Sequence, residues 1–147
     1  MSLSDQIILD LKEAMKSGDD VRKGVLRMLK SQIRNKEIEL GDKLSENDEI
    51  QVLNTAVKSR RESIEFYKKG DRLELMEKEA KEIEIVQLYL PKALSSDELA
   101  ASVDQVIFEF GASSAKDFGR VMKEVMSRNR GRVDGKQVQE IVRAKLA

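Results

Sequence analysis

The residues best placed to do chemistry lie near the C-terminus, in Arg128-Asn129-Arg130-Gly131-Arg132-Val133-Asp134-Gly135-Lys136. From Arg120 to Lys136 there are six bases (Arg120, Lys123, Arg128, Arg130, Arg132, Lys136) and two acids (Glu124, Asp134), a local charge of +4. A guanidinium offers a planar donor fork that suits phosphate oxygens. Gly131 and Gly135 allow a tight turn and close approach of another backbone. The chemistry implied is grip on a nucleic-acid backbone rather than bond-making. A merely solvated turn is the competing reading. A Walker loop would need Gly at position 130 and Ser or Thr at 137, where the chain has Arg130 and Gln137. Asp134, as a helix cap, would occupy amides that an anion would use. The loop also has no aromatic residue to stack a base.

Two other charged clusters read as solvated helix faces. Lys58, Arg60, Arg61, Lys68 and Lys69 are partly neutralised by Glu62 and Glu65. Glu74, Glu77, Glu79, Glu82 and Glu84 alternate with lysines and lack a histidine to help them hold a metal. Five acid-before-base pairs at i,i+4 spacing (Asp19/Lys23, Glu65/Lys69, Glu74/Lys78, Glu77/Lys81, Glu124/Arg128) suit exposed helices.

The 147 residues include no cysteine and no histidine. That excludes disulfides, thiolate sites, cysteine nucleophiles and a Ser-His-Asp hydrolase. No catalytic residue, metal site or cofactor is assigned. Lys+Arg and Asp+Glu both number 27, so any attraction to nucleic acid must be local. No apolar run is long enough for a membrane span. The first residues, Met1-Ser2-Leu3-Ser4-Asp5, show no export signal, so a cytoplasmic location is expected.

The elements that must position these residues are all helices. Apolar residues recur at helical spacing: Ile7, Ile8, Leu11, Ala14 and Met15; Val21, Val25, Met28, Leu29 and Ile33; Val52, Leu53, Ala56, Val57, Ile64 and Tyr67. A fourth run comprises Leu73, Met76, Ala80, Ile83 and Gln87, with Leu75, Ile85 and Leu88 widening it. Gly18, Gly41 and Gly70 mark helix ends, Asp71 is the expected cap of the fourth helix, and Gly24 is a weak point or a site of close packing. The single proline, Pro91, stops the fourth helix and marks the expected domain boundary. Beyond it, Ser95-Ser96-Asp97-Glu98, Ser114-Ala115-Lys116-Asp117 and Asp134-Gly135-Lys136-Gln137 start three shorter helices. The predicted fold is all-α: an N-terminal four-helix part in hairpins, residues 1–91, then a small three-helix domain, residues 92–147.

These segments resemble the GatB/YqeY family. Tyr89-Leu90-Pro91-Lys92-Ala93-Leu94-Ser95 followed by Glu98-Leu99 is similar to its YLPxxLSxxEL junction. Asp117-Phe118-Gly119-Arg120-Val121-Met122-Lys123-Glu124-Val125-Met126 is similar to its DxGxVMKxVM segment. Gly131 to Lys136 resembles its GRADGK turn, with Val133 in place of Ala, and Val25 to Leu29 is a looser match to a TLRLL-like segment. The resemblance covers essentially the whole chain. It implies a stand-alone helical protein whose C-terminal part is similar to the tail of the GatB component of the glutamine-dependent aspartyl/glutamyl-tRNA amidotransferase. A related tail occurs in some glutaminyl-tRNA synthetases. In the amidotransferase that tail contacts tRNA, and the chemistry resides in parts this chain does not contain. The expected function is therefore that of a non-catalytic accessory of tRNA or structured RNA. The binding candidates are Arg128, Arg130, Arg132 and Lys136, with Arg120 and Lys123 alongside, and the expected partners are tRNA or a protein of translation. The alternatives are a subunit or accessory of glutamine-dependent carbon–nitrogen ligase (tRNA amidotransferase) activity and a helical protein-interaction module.

Overall fold

The computed structural model describes residues 1–147 and is all-helical, with no strand. The helices are α1 (Leu3–Ser17), α2 (Asp20–Leu40), α3 (Glu46–Lys69), α4 (Leu73–Gln87), α5 (Ser96–Phe110), α6 (Phe118–Arg128) and α7 (Gly135–Lys145), with a 3₁₀ turn at Ala115–Asp117 before α6. Local chemistry sets most of their ends. The side chains of Ser2, Asp19, Ser45, Ser95 and Asp134 accept backbone N–H bonds at helix starts. Ser2 with Asp5, and Ser95 with Glu98, form complete capping boxes.

The chain forms two compact units, Met1–Leu90 and Pro91–Ala147. In the first, α1 packs on α2 and α3 on α4. Its core comprises Ile7, Leu11, Ala14, Val25, Leu26, Leu29, Ile33, Leu53, Ala56, Val57, Ile83 and Val86. In the second, α5, α6 and α7 enclose Leu99, Val103, Val106, Val121, Val125, Val138, Val142 and Leu146.

Several expectations are corrected. Met15, Val21, Leu73 and Leu88 are exposed. Met15 lies a further 100° round α1 from Ala14, beyond the stripe of Ile7, Leu11 and Ala14. Leu26 and Val86, missing from the expected stripes, are fully buried. Asp71 does not cap α4: it takes a left-handed conformation at φ 58°, and Arg72 precedes α4 without a side-chain cap. The Ser114–Asp117 segment forms the 3₁₀ turn rather than the first turn of α6. Of the five i,i+4 pairs, only Glu124–Arg128 forms an ion pair, while Lys23 turns to Asp20 at 3.3 Å. A Cβ at Gly24 would meet no atom within 4 Å, so this glycine weakens α2 without enabling a close approach.

Candidate nucleic-acid interface

The turn between α6 and α7 is built from the end of a buried stripe. Val121, Val125 and Asn129 follow one another at four-residue spacing on α6, and all three are buried. Asn129 ends the helix, and its Nδ2 donates to the Val125 carbonyl and to Ser102 Oγ on α5, each at 2.9 Å. The chain then reverses through Gly131, whose φ of 74° is the left-handed conformation that a side chain would oppose. Arg132 N donates back to the Asn129 carbonyl at 3.0 Å. Gly135 has no such conformation; its α-carbon faces Met126, where a Cβ would sit 3.7 Å from Cε. Asp134 caps α7 through Lys136 N at 3.4 Å, a long bond.

The six candidate bases divide into two groups. Arg128 bonds both Glu109, from α5, and Glu124. The bond to Glu109, then that to Glu124, pushes the Arg128 pKa up, and the same contact holds Glu109 below the usual carboxylate range. Arg120 pairs with Asp117 at 3.0 Å and lies over the Phe110 ring at 5.3 Å. Asp117 is held low first by the Ser113 amide and then by further bonds that include Arg120. Arg132 is half-buried, with its Nε donating to the Lys92 carbonyl at 2.9 Å. By contrast, Lys123, Arg130 and Lys136 are exposed and make no ion pair. The fold brings Glu109 from α5, and Asp117 lies just before the segment at i,i+3 from Arg120; these two further acids lower the local excess from +4 to +2.

A second feature was hidden among the sequence's solvated faces. Lys58 and Arg61 are exposed, but Arg60 is buried. Its Nη1 donates to the Ala56 carbonyl at 2.9 Å, Nη2 reaches Met28 Sδ on α2, and Nε lies 3.3 Å from Glu82 Oε2 on α4. The last contact is off the axis of a hydrogen bond, so the pair is held by charge. Glu82 therefore does not belong to a solvated face. Burial, then the neighbouring Glu82, pushes the Glu79 pKa up. The spacing Leu53, Val57, Arg60, Ile64 places Arg60 on the buried stripe of α3, and this signal was available in the sequence. No three acids converge as metal ligands.

The sequence profile described as "Yqey-like protein" matches residues 4–146. The chain belongs to the Yqey-like protein family. Its relatives include the "Altered inheritance of mitochondria protein 41, mitochondrial" of several yeasts. The Eremothecium gossypii protein is 39% identical over 104 residues, covering 68% of this chain and 56% of the relative. That of Kluyveromyces lactis is 40% identical over 108 residues, covering 71% and 58%. That of Lachancea thermotolerans is 38% identical over 108 residues, with the same coverage. This Yqey-like chain thus spans between half and two thirds of the length of these relatives. Their names overturn the cytoplasmic expectation, which rested only on the lack of an export signal: they point to mitochondria. No helix is long and apolar enough to cross a membrane.

Proposed function

We propose that the C-terminal unit binds the phosphate backbone of structured RNA as a non-catalytic accessory. Tyr89–Leu99, Asp117–Met126 and Gly131–Lys136, the motifs similar to the GatB tail of the amidotransferase, make tRNA the class to test. The observation that carries the reading is the division of the bases. Lys123, Arg130 and Lys136 remain exposed and unpaired on and beside a turn fixed at both ends by Asn129 and Arg132. Their carrier is rigid, so little loop entropy is lost when a ligand is gripped. Arg128 and Arg120 contribute less, because a phosphate would have to compete with their carboxylates.

These three charges contribute about −2 to −3 to the log–log salt slope. The test is fluorescence anisotropy of labelled tRNAs, a mitochondrial one among them, titrated with the full chain at several salt concentrations. Replacing Lys123, Arg130 and Lys136 together with Glu should abolish most binding while leaving helicity intact. Arg128→Gln should weaken it less, and Lys58→Gln with Arg61→Gln less still. If the α3 change removes binding and the turn change does not, the surface is wrong. If tRNA fails to bind even at low salt, the reading falls and a protein partner replaces RNA.

A further inference from the structure

We infer that Lys92 is a further phosphate-binding residue of this surface, and that Arg132 is the positioning residue that holds it there. The inference rests on the RNA reading above. Lys92 and Arg132 are 40 residues apart in sequence, yet the strap Pro91–Leu94 is clamped to the turn by two bonds of opposite sense. Arg132 Nε donates to the Lys92 carbonyl at 2.9 Å, and Leu94 N donates to the Arg132 carbonyl at 2.8 Å. Pro91 has a fixed φ, which restricts the course of the strap at its start. The clamp therefore sets where the Lys92 side chain leaves the backbone, beside the turn that carries Arg130.

The Lys92 side chain is exposed and makes no ion pair. Glu98 feels this charge: its pKa is lowered first by its bonds with Ser95 and then by the charges of Arg132 and Lys92. Glu98 Oε1 already accepts from Ser95 N at 3.2 Å in the capping box, so it is held at the start of α5 rather than closing on Lys92. A lysine is a compact charge on a flexible stem and suits a phosphate of no fixed orientation. Arg132 differs: it is half-buried and its Nε is engaged with the strap. Its contribution is to fix the geometry of a neighbour.

The experiment is tRNA anisotropy against salt with the full chain carrying Lys92→Gln, Arg132→Lys, both together, or Arg130→Gln, with circular dichroism on each. Lys92→Gln should keep full helicity and reduce the steepness of the salt slope by about 0.7–0.9, the loss of one phosphate contact. Arg132→Lys keeps the charge but lacks the Nε–H, so it should reduce the slope by a similar amount. Lys92→Gln should then add nothing in the Arg132→Lys background. If Lys92→Gln leaves the slope unchanged while Arg130→Gln reduces it, the inference fails and the RNA reading stands. If Arg132→Lys matches the original chain and the Lys92 effect persists in full within it, the positioning role fails. Should Arg132→Lys lose helicity, the Lys92→Gln slope alone decides on Lys92, and Lys92→Gln in an Arg132→Gln chain that keeps its helicity decides on positioning. If the unsubstituted chain does not bind tRNA, both readings fall together.

Discussion

Unit Met1–Leu90 draws charge inside, sheltering Arg60 and Glu49 among its helices, whereas unit Pro91–Ala147 buries one polar side chain, the neutral Asn129. The helices of the two units also differ in length. α2 and α3 run for 21 and 24 residues, and aliphatic stripes of that length can slip by a turn at small cost. A charge with one fixed partner penalises every register but one. Arg60 touches α2 through Met28 and α4 through Glu82, and the Glu49 carboxylate accepts from Ser4 N at the start of α1 at 2.7 Å. In the smaller unit the helices have 15, 11 and 11 residues, and their ends are already fixed by the Asn129 and Arg132 bonds. Its core is six valines and two leucines, stiff side chains that leave few alternative packings. Its charges stay outside, where a ligand can reach those without partners.

The sharpest way to break this comparison is to remove one half of the Arg60–Glu82 pair. Glu82→Ala leaves a guanidinium under cover without its counter-charge, at a cost of about 3 kcal/mol. Amide hydrogen exchange should show the loss across α2, α3 and α4, with α5 to α7 unchanged. Arg60→Met with Glu82→Leu should recover most of that stability, because neither charge then needs compensation. Equal protection in Glu82→Ala and the original chain would show that the pair contributes nothing to the first unit.

The counterpart in the second unit is Val125→Ala. Val125 is fully buried between Val121 and Asn129 along α6. The substitution removes two methyl-sized groups and leaves a void, at about 2 kcal/mol. A core of this size supplies only about 3–5 kcal/mol in total, so exchange protection should fall throughout α5 to α7 together. If only α6 loses protection, the unit does not fold as one cooperative body.

How much of this was legible in the sequence depends on how far apart the interacting residues are. Caps and helix ends are local, so Ser95, Gly18 and Gly41 mark boundaries that the structure keeps. One exception, Asp71, is a residue whose short side chain also tolerates the left-handed region, and nothing local distinguishes the two uses. Arg60 was legible from its spacing, but residue type suggested solvent and prevailed. The candidate site was legible only as a count of charges. Which charges are free is decided by pairings such as Arg128 with Glu109, 19 residues apart, and Arg132 with Lys92, 40 apart. Neither follows from helical periodicity, because each depends on which ends of α5, α6 and the strap meet.

The smallest effect expected concerns Tyr89, which gives the family-like Tyr-Leu-Pro segment a structural role in the first unit. Its hydroxyl donates to Asp10 Oδ2 on α1, and Asp10 also lies 3.8 Å from Arg22 on α2. The residues after α4 are thereby tied back to the first hairpin. Burial, then the bond to Asp10, pushes the Tyr89 pKa from 10.0 up to about 12. The folded state thus favours the protonated phenol. This contribution to stability is full below pH 10 and is lost as pH rises through about 12. Tyr89→Phe removes a hydrogen bond to a carboxylate and should cost about 1–2 kcal/mol at neutral pH. The difference between the two chains should shrink as pH climbs from 10 toward 12, because only the original chain has a proton to lose there. Urea melts of both chains across that range measure it. A gap that stays constant with pH would mean that the phenol is not held by Asp10, and that Tyr89 serves the first unit by packing alone.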